Sequence, residues 1–163
     1  MKLKRSNLIA AGVAAALPAT IAVPALTSAQ SPAAVTISVQ EKVRSVVTDD
    51  VAPKSRSGAV SVGDRLVTRQ SLFGTSRQPV GTLYTDCTGV GPTKPFPAAT
   101  LLCSVTYTFS SGQIVASGAF KLDGSAAIPI VGGTGAYAGA RGTVKSVRPA
   151  QGFDSADLIT IGG

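Results

Sequence analysis

The stretch IVGGTGAYAGARG, Ile130 to Gly142, decides between two folds. It contains Gly133-x-Gly135-x-x-Ala138, one spelling of the dinucleotide-binding fingerprint. That fingerprint has physical meaning only where a strand leads in, a helix opens on it and a further strand carries an acid about 20 residues on. The preceding "AIPIV" serves as the strand, but the following "GARGTVKSVRPAQG" does not serve as the helix. Gly142, Pro149 and Gly152 break a helix, while Thr143, Val144 and Val147 favour a strand. The segment therefore reads as a glycine-rich turn between two strands, with Gly132, Gly133 and Gly135 supplying backbone freedom. Arg141 either locks this turn by donating to its carbonyls or binds an anion.

Working outward, short apolar or alternating runs recur between Gly, Pro, Asp and Ser punctuation, and no stretch keeps a helical period. Strands are expected at about 35–47, 61–73, 79–88, 100–110, 113–121, 126–131, 141–148 and 156–161. Ser111-Gly112 and Asp123-Gly124 are read as tight hairpin turns. Successive antiparallel strands in one domain favour closure into an eight-stranded barrel, because closure removes exposed edges.

The first 29 residues read as a secretory signal peptide. Lys2, Lys4 and Arg5 precede a run without ionisable side chains from Ser6 to Gln40, and Thr27-Ser28-Ala29 places small residues at a cleavage site. An uncleaved anchor is the competing reading, against which Pro18 and Pro24 weigh. Residues 30–34 form a short linker and residues 35–163 the barrel domain, giving a secreted protein with no membrane attachment after cleavage. Residues 1–29 carry three of the 15 Lys and Arg and none of the 8 Asp and Glu, so their removal lowers the net charge from +7 to +4. The remaining basic residues are scattered and aromatics are few, which excludes a basic groove with stacking rings for nucleic acid.

Two cysteines, Cys87 and Cys103, are the whole complement, an even number in an exported chain. A disulfide between them would stabilise the fold by about 3 kcal/mol on the chain-entropy model; the alternative is a free nucleophilic thiol at Cys87. With no histidine, no metal site is expected, nor a Ser-His-Asp or Cys-His pair. No cofactor is implied.

Alternation assigns faces. In "ISVQEKVRSVV", Ile37, Val39, Glu41, Val43 and Val47 share one side, and Gln40, Lys42 and Arg44 the other. Glu41 thus falls on the apolar face, the interior of a barrel, where a lone carboxylate is costly unless paired, protonated or used. The other reading makes it a rim residue in solvent. Leu66, Gln70 and Leu72 share a face of the next long strand; Gln70 either contacts a ligand or satisfies backbone groups at a bulge. Val105, Tyr107 and Phe109 line up similarly, as core filling or as a ligand wall. An interior with Glu41, Gln70 and Tyr107 among aliphatics has the composition of a small-ligand pocket.

With those residues placed, the chain resembles the allene oxide cyclase and dirigent protein superfamily, and more closely its secreted bacterial barrel-like branch. The resemblance rests on "GDRLV" (Gly63 to Val67), Leu72-Phe73, "VGTLYTDC" ending at Cys87, "LLCSVTYTFSSGQIVASG" from Leu101 to Gly118, and "IVGGTGAYAGARG". It implies an all-β, eight-stranded antiparallel barrel in which the glycine segment is structural. The plant cyclases isomerise an allylic epoxide using a carboxylate, an amide and a cysteine. The resemblance puts Glu41 at the carboxylate, Gln70 at the amide and Cys87 at the thiol. The "ExN" pair of those enzymes reads Glu41-Lys42-Val43 here, so its Asn is missing. Pairing of Cys87 with Cys103 matches the secreted bacterial relatives.

Three functions follow as expectations. The first is a barrel that binds a small apolar or phenolic molecule and steers its reaction by shape, as dirigent proteins do. The second is an isomerase or cyclase with Glu41 as acid/base or as the stabiliser of a developing cation. The third is a structural or surface protein with a filled barrel. The resemblance also implies association into homo-oligomers, although no patch in the sequence marks an interface.

Overall fold

A computed structural model describes residues 33–51, 59–91, 94–95, 99–121 and 127–162. The expected signal peptide and the Asp123-Gly124 turn lie outside these residues. The described strands are β1 (Val35–Asp49), β2 (Ala59–Val60), β3 (Arg65–Phe73), β4 (Pro79–Gly89), β5 (Lys94–Pro95), β6 (Leu101–Phe109), β7 (Gly112–Phe120), β8 (Ala127–Gly133), β9 (Arg141–Val147) and β10 (Ser155–Gly162). Eight of them close into an antiparallel barrel in the order β1-β10-β9-β8-β7-β6-β4-β3, while β2 and β5 form a separate two-stranded ribbon.

β1 closes the ring. Its Val35–Glu41 half pairs with β10, and Gln40–Asp49 pairs with β3 across a register shift between Val43 and Ser45. That bulge corrects the alternation expected for this strand, because one extra residue reverses which side chains point inward. Val46, though 52% exposed, therefore lines the cavity, and Val47, assigned to the inner face by simple alternation, is 65% exposed and does not.

The tight turn after β6 also moves by one residue. Phe109 pairs with Gly112, so Ser110 and Ser111 form the turn and Gly112 already belongs to β7.

The glycine segment closes one end. After β8, a single 3-10 turn, Gly135–Tyr137, folds onto the β6–β7 hairpin. Ala136 N donates to Ser111 O at 2.9 Å and Thr134 N to Gln113 O at 2.9 Å, while the Tyr137 ring packs 5.7 Å from Phe109. A Cβ at Gly133 would lie 2.4 Å from Tyr137 O and 2.5 Å from Gln113 O, and Gly135 sits at φ +60, so close approach and a left-handed backbone account for these two glycines. Arg141 Nη1 donates to Val131 O at 3.1 Å and to Ala140 O at 2.8 Å. No helix opens on the segment, which removes the geometry a phosphate cradle requires. At this end the barrel is packed solid by Val39, Leu72, Ile114, Ile130 and Ile159.

Candidate functional site: a cavity with two carboxyls at its deep end

The other half of the barrel is hollow. A cavity of about 530 Å³ is lined by inward-facing residues of every barrel strand, within the range of small-molecule sites. The barrel is therefore not filled. Most of the wall is apolar, including Leu66, Leu101, Val105, Phe120 and Ile128, and its buried charged groups are Glu41 and Asp157.

Glu41 is placed there by β1, two residues before Val43, where the bulge begins, between Leu72 of β3 and Ser155 of β10. It is 3% exposed. Asp157, two residues along β10 on the same inward face, is 7% exposed, and Tyr107 of β6 is fully buried. The Tyr107 hydroxyl donates to Asp157 Oδ2, and Ser146 Oγ of β9 donates to Asp157 Oδ1 at 2.8 Å. With both oxygens accepting, Asp157 has the surroundings of a carboxylate anion.

Glu41 has the opposite surroundings. Its Oε1 receives no hydrogen bond, and its Oε2 lies 2.5 Å from Ser155 Oγ, which is also 3.2 Å from Gln70 Oε1. A serine hydroxyl has one proton and cannot donate to both acceptors. That proton goes to Glu41 Oε2, the nearer acceptor, while Gln70 Nε2 donates to Thr68 Oγ1 at 3.4 Å. Burial is the largest cause of a Glu41 pKa pushed up to about 9, followed by the negative charge of the neighbouring Asp157, against a smaller lowering from Ser155. Burial, and then the charges of Asp157 and Glu41, likewise raise the pKa of Tyr107.

Of the residues singled out from sequence, Glu41, Gln70 and Tyr107 line the cavity together, while Phe109 does not line it and packs against Tyr137 at the closed end. Val43 lines it where the plant cyclases carry Asn. Cys87 and Cys103 are directly opposite across β4 and β6, bonded to each other and part of the wall, which leaves no free thiol. Sequence reasoning missed Asp157, Ser155 and Ser146. The signal for Asp157 was present, since in "DLITI" it shares a face with Ile159 and Ile161, the pattern that singled out Glu41. Among the described residues no cluster of His, Cys, Asp and Glu could hold a metal ion.

Fold and site together define a closed β-barrel with an internal cavity of about 530 Å³ and an acidic pair at its deep end. The chain belongs to the allene oxide cyclase barrel-like domain family, whose model matches residues 40–155. Among solved structures it is similar to a pyocyanin demethylase at 21% identity and a TM-score of 0.65, covering 78% of this chain and 99% of that one. It is also similar to an exo-specific intermolecular Diels-Alderase, at 17% identity and a TM-score of 0.59, covering 80% and 99%. A pterocarpan synthase dirigent protein matches at 16% identity and a TM-score of 0.58, covering 82% and 96%. At these identities the likeness is one of fold. Among curated proteins, none is detectably similar in sequence.

Proposed function

We propose that this protein is a secreted isomerase or cyclase that binds a small, mostly apolar molecule in the barrel and uses Glu41 as its acid/base. The carrying observation is that Glu41 lines the cavity, 3% exposed, with an oxygen that no protein group satisfies. In this reading the apolar wall takes the body of the substrate, and its one polar group reaches the deep end. Glu41 passes its proton to that group, positive charge develops beside Asp157, and the rearranged product returns the proton to Glu41. No atom is gained or lost, so no cofactor is called for. Positioned proton transfer of this kind contributes about 10²–10⁴-fold in rate. Secretion is supported by the pattern of residues 1–29 and by the disulfide.

The test is a panel of allylic epoxides, conjugated polyenes and phenols incubated with the protein, with chromatography and mass spectrometry to find products of unchanged mass. Glu41→Gln is expected to keep binding a turned-over substrate and to slow its conversion by about 10²–10⁴-fold. Turnover undiminished in Glu41→Gln would sink the acid/base role and leave steering by shape, a reading favoured by the depth of the apolar wall.

A further inference from the structure

The cavity is distinguished by charge as well as by shape. Its deep end holds two carboxyls on the adjacent strands β1 and β10, and among the described residues none of its lining side chains is Lys or Arg. The basic neighbours of Glu41 along β1 point outward: Lys42 Nζ donates to Gly152 O at 3.5 Å and Arg44 Nε donates to Ser71 Oγ at 2.8 Å, both exposed. No element packed around Glu41 presents a cation to it among the described residues. The β10 wall presents Asp157, and the loop before it presents Asp154, whose Oδ2 accepts from Val43 N at 2.8 Å. β6 presents Tyr107, β3 presents Gln70 and Leu72 while Arg69 is exposed, and β9 presents Ser146 while Lys145 is exposed. The paired Cys87 and Cys103 do not titrate. Among the described residues the site therefore holds acid groups with no cation beside them, in a mostly apolar wall where Coulomb interactions are several times stronger than in water.

We propose that the cavity selects organic monocations over neutral and anionic molecules of the same shape, and that docking of a fixed positive charge expels one proton from the Glu41–Asp157 pair to solvent. The proposal rests on the reading of the cavity as a ligand site. A bound cation supplies the missing counter-charge: it enters, one proton leaves Glu41, and the enclosed charge is unchanged. Phe120 in the wall offers an aromatic ring for cation-π attraction. An anion meets carboxyls and, among the described lining residues, no cation to offset them. The same preference would stabilise positive charge that develops on a neutral substrate during turnover.

Isothermal calorimetry with three probes separates these claims: benzyltrimethylammonium, its neutral isostere neopentylbenzene, and 3-phenylpropionate. The cation is expected to bind most tightly. Because Glu41 holds its proton up to about pH 9, the Kd of the cation should fall about tenfold per unit between about pH 6 and pH 8. About one proton should be released, counted from the dependence of the binding heat on the ionisation heat of the buffer. The isostere should show a flat Kd, and Glu41→Gln should flatten that of the cation. Proton release is read on the unmodified protein, so it decides the matter even where the variant does not fold. Tighter binding of the isostere or the anion, or a flat Kd for the cation, overturns the charge preference and leaves the cavity as a ligand site. Binding of none of the three overturns the ligand-site reading and this one with it.

Discussion

The Tyr107 hydroxyl donates to Asp157 across the inside of the barrel: β6 and β10 lie four strands apart in either direction around the ring, so the bond joins opposite walls. It forms the floor between the hollow half and the packed half, with Ile114 next along β7 on the packed side and the cavity on the other. A buried hydrogen bond to a charged group contributes about 1.5–3 kcal/mol, and its loss leaves Asp157 with one oxygen unsatisfied. Tyr107→Phe should therefore lower the unfolding free energy by about 2 kcal/mol in urea titration. A loss under about 0.5 kcal/mol would show that the bond makes no net contribution.

Asp157 also sets the state of its neighbour. Its charge is the second cause of the raised Glu41 pKa, after burial. Asp157→Asn removes that charge and keeps the burial, so the Glu41 midpoint should fall from about 9 but stay above the ordinary carboxylate range. Carbon-13 detection of the Glu41 carboxyl across a pH titration reads both midpoints. An unchanged midpoint in Asp157→Asn would show that burial acts alone.

Stability should bear the mark of the same group. Glu41 titrates at about 9 in the folded chain, against an ordinary value of 4.5. Between those values the folded state binds more protons than the unfolded state, so stability is lost as pH rises through that window. One group contributes a slope of at most about 1.4 kcal/mol per pH unit. Glu41→Gln removes the titration. It should flatten stability across neutral pH and make the protein more stable than the parent at about pH 8, measured as urea midpoints along a pH series. A variant that is equally pH-dependent would place the titrating group elsewhere.

The legibility of this chain in its sequence follows from which physical rule governs each element. Seven of the eight barrel strands lie where apolar alternation and turn residues put them, because a half-buried strand must alternate; β3 starts later than expected, at Arg65, after Gly63 at φ +93. The inner position of Glu41 was readable for the same reason. The bulge after Val43 was not, since nothing in "KVRSVV" announces an extra residue, and it is the bulge that exposes Val47 and turns Val46 inward. Nor was the convergence of β1, β6 and β10 on one acidic pair readable, because closure order comes from long-range pairing and not from local pattern.

The disulfide joins two strands that are already paired, with Cα atoms 4.1 Å apart and a sequence separation of 16. Its contribution then comes chiefly from shortening the unfolded chain, about 3 kcal/mol on the loop-entropy model. Urea unfolding of the oxidised protein and of a Cys87→Ala, Cys103→Ala double variant should differ by that amount. The double variant also removes two sulfurs from the cavity wall, so it should bind a cavity ligand with altered affinity while keeping the barrel.

The glycine segment supplies a paired test of steric necessity. At Gly133 an added Cβ meets two backbone oxygens at 2.4 and 2.5 Å, neither of which belongs to a flexible side chain, so the 3-10 turn or the β6–β7 hairpin must move. One position earlier, a Cβ at Gly132 meets only Arg141 Nη1, at 4.0 Å, and the backbone there is not left-handed. Gly133→Ala should cost about 1–3 kcal/mol, the usual price of overpacking, and Gly132→Ala should stay within about 0.5 kcal/mol of the parent. Thermal unfolding of the two variants side by side checks this. Equal costs would show that the close approach of Gly133 to Tyr137 and Gln113 carries no penalty of its own.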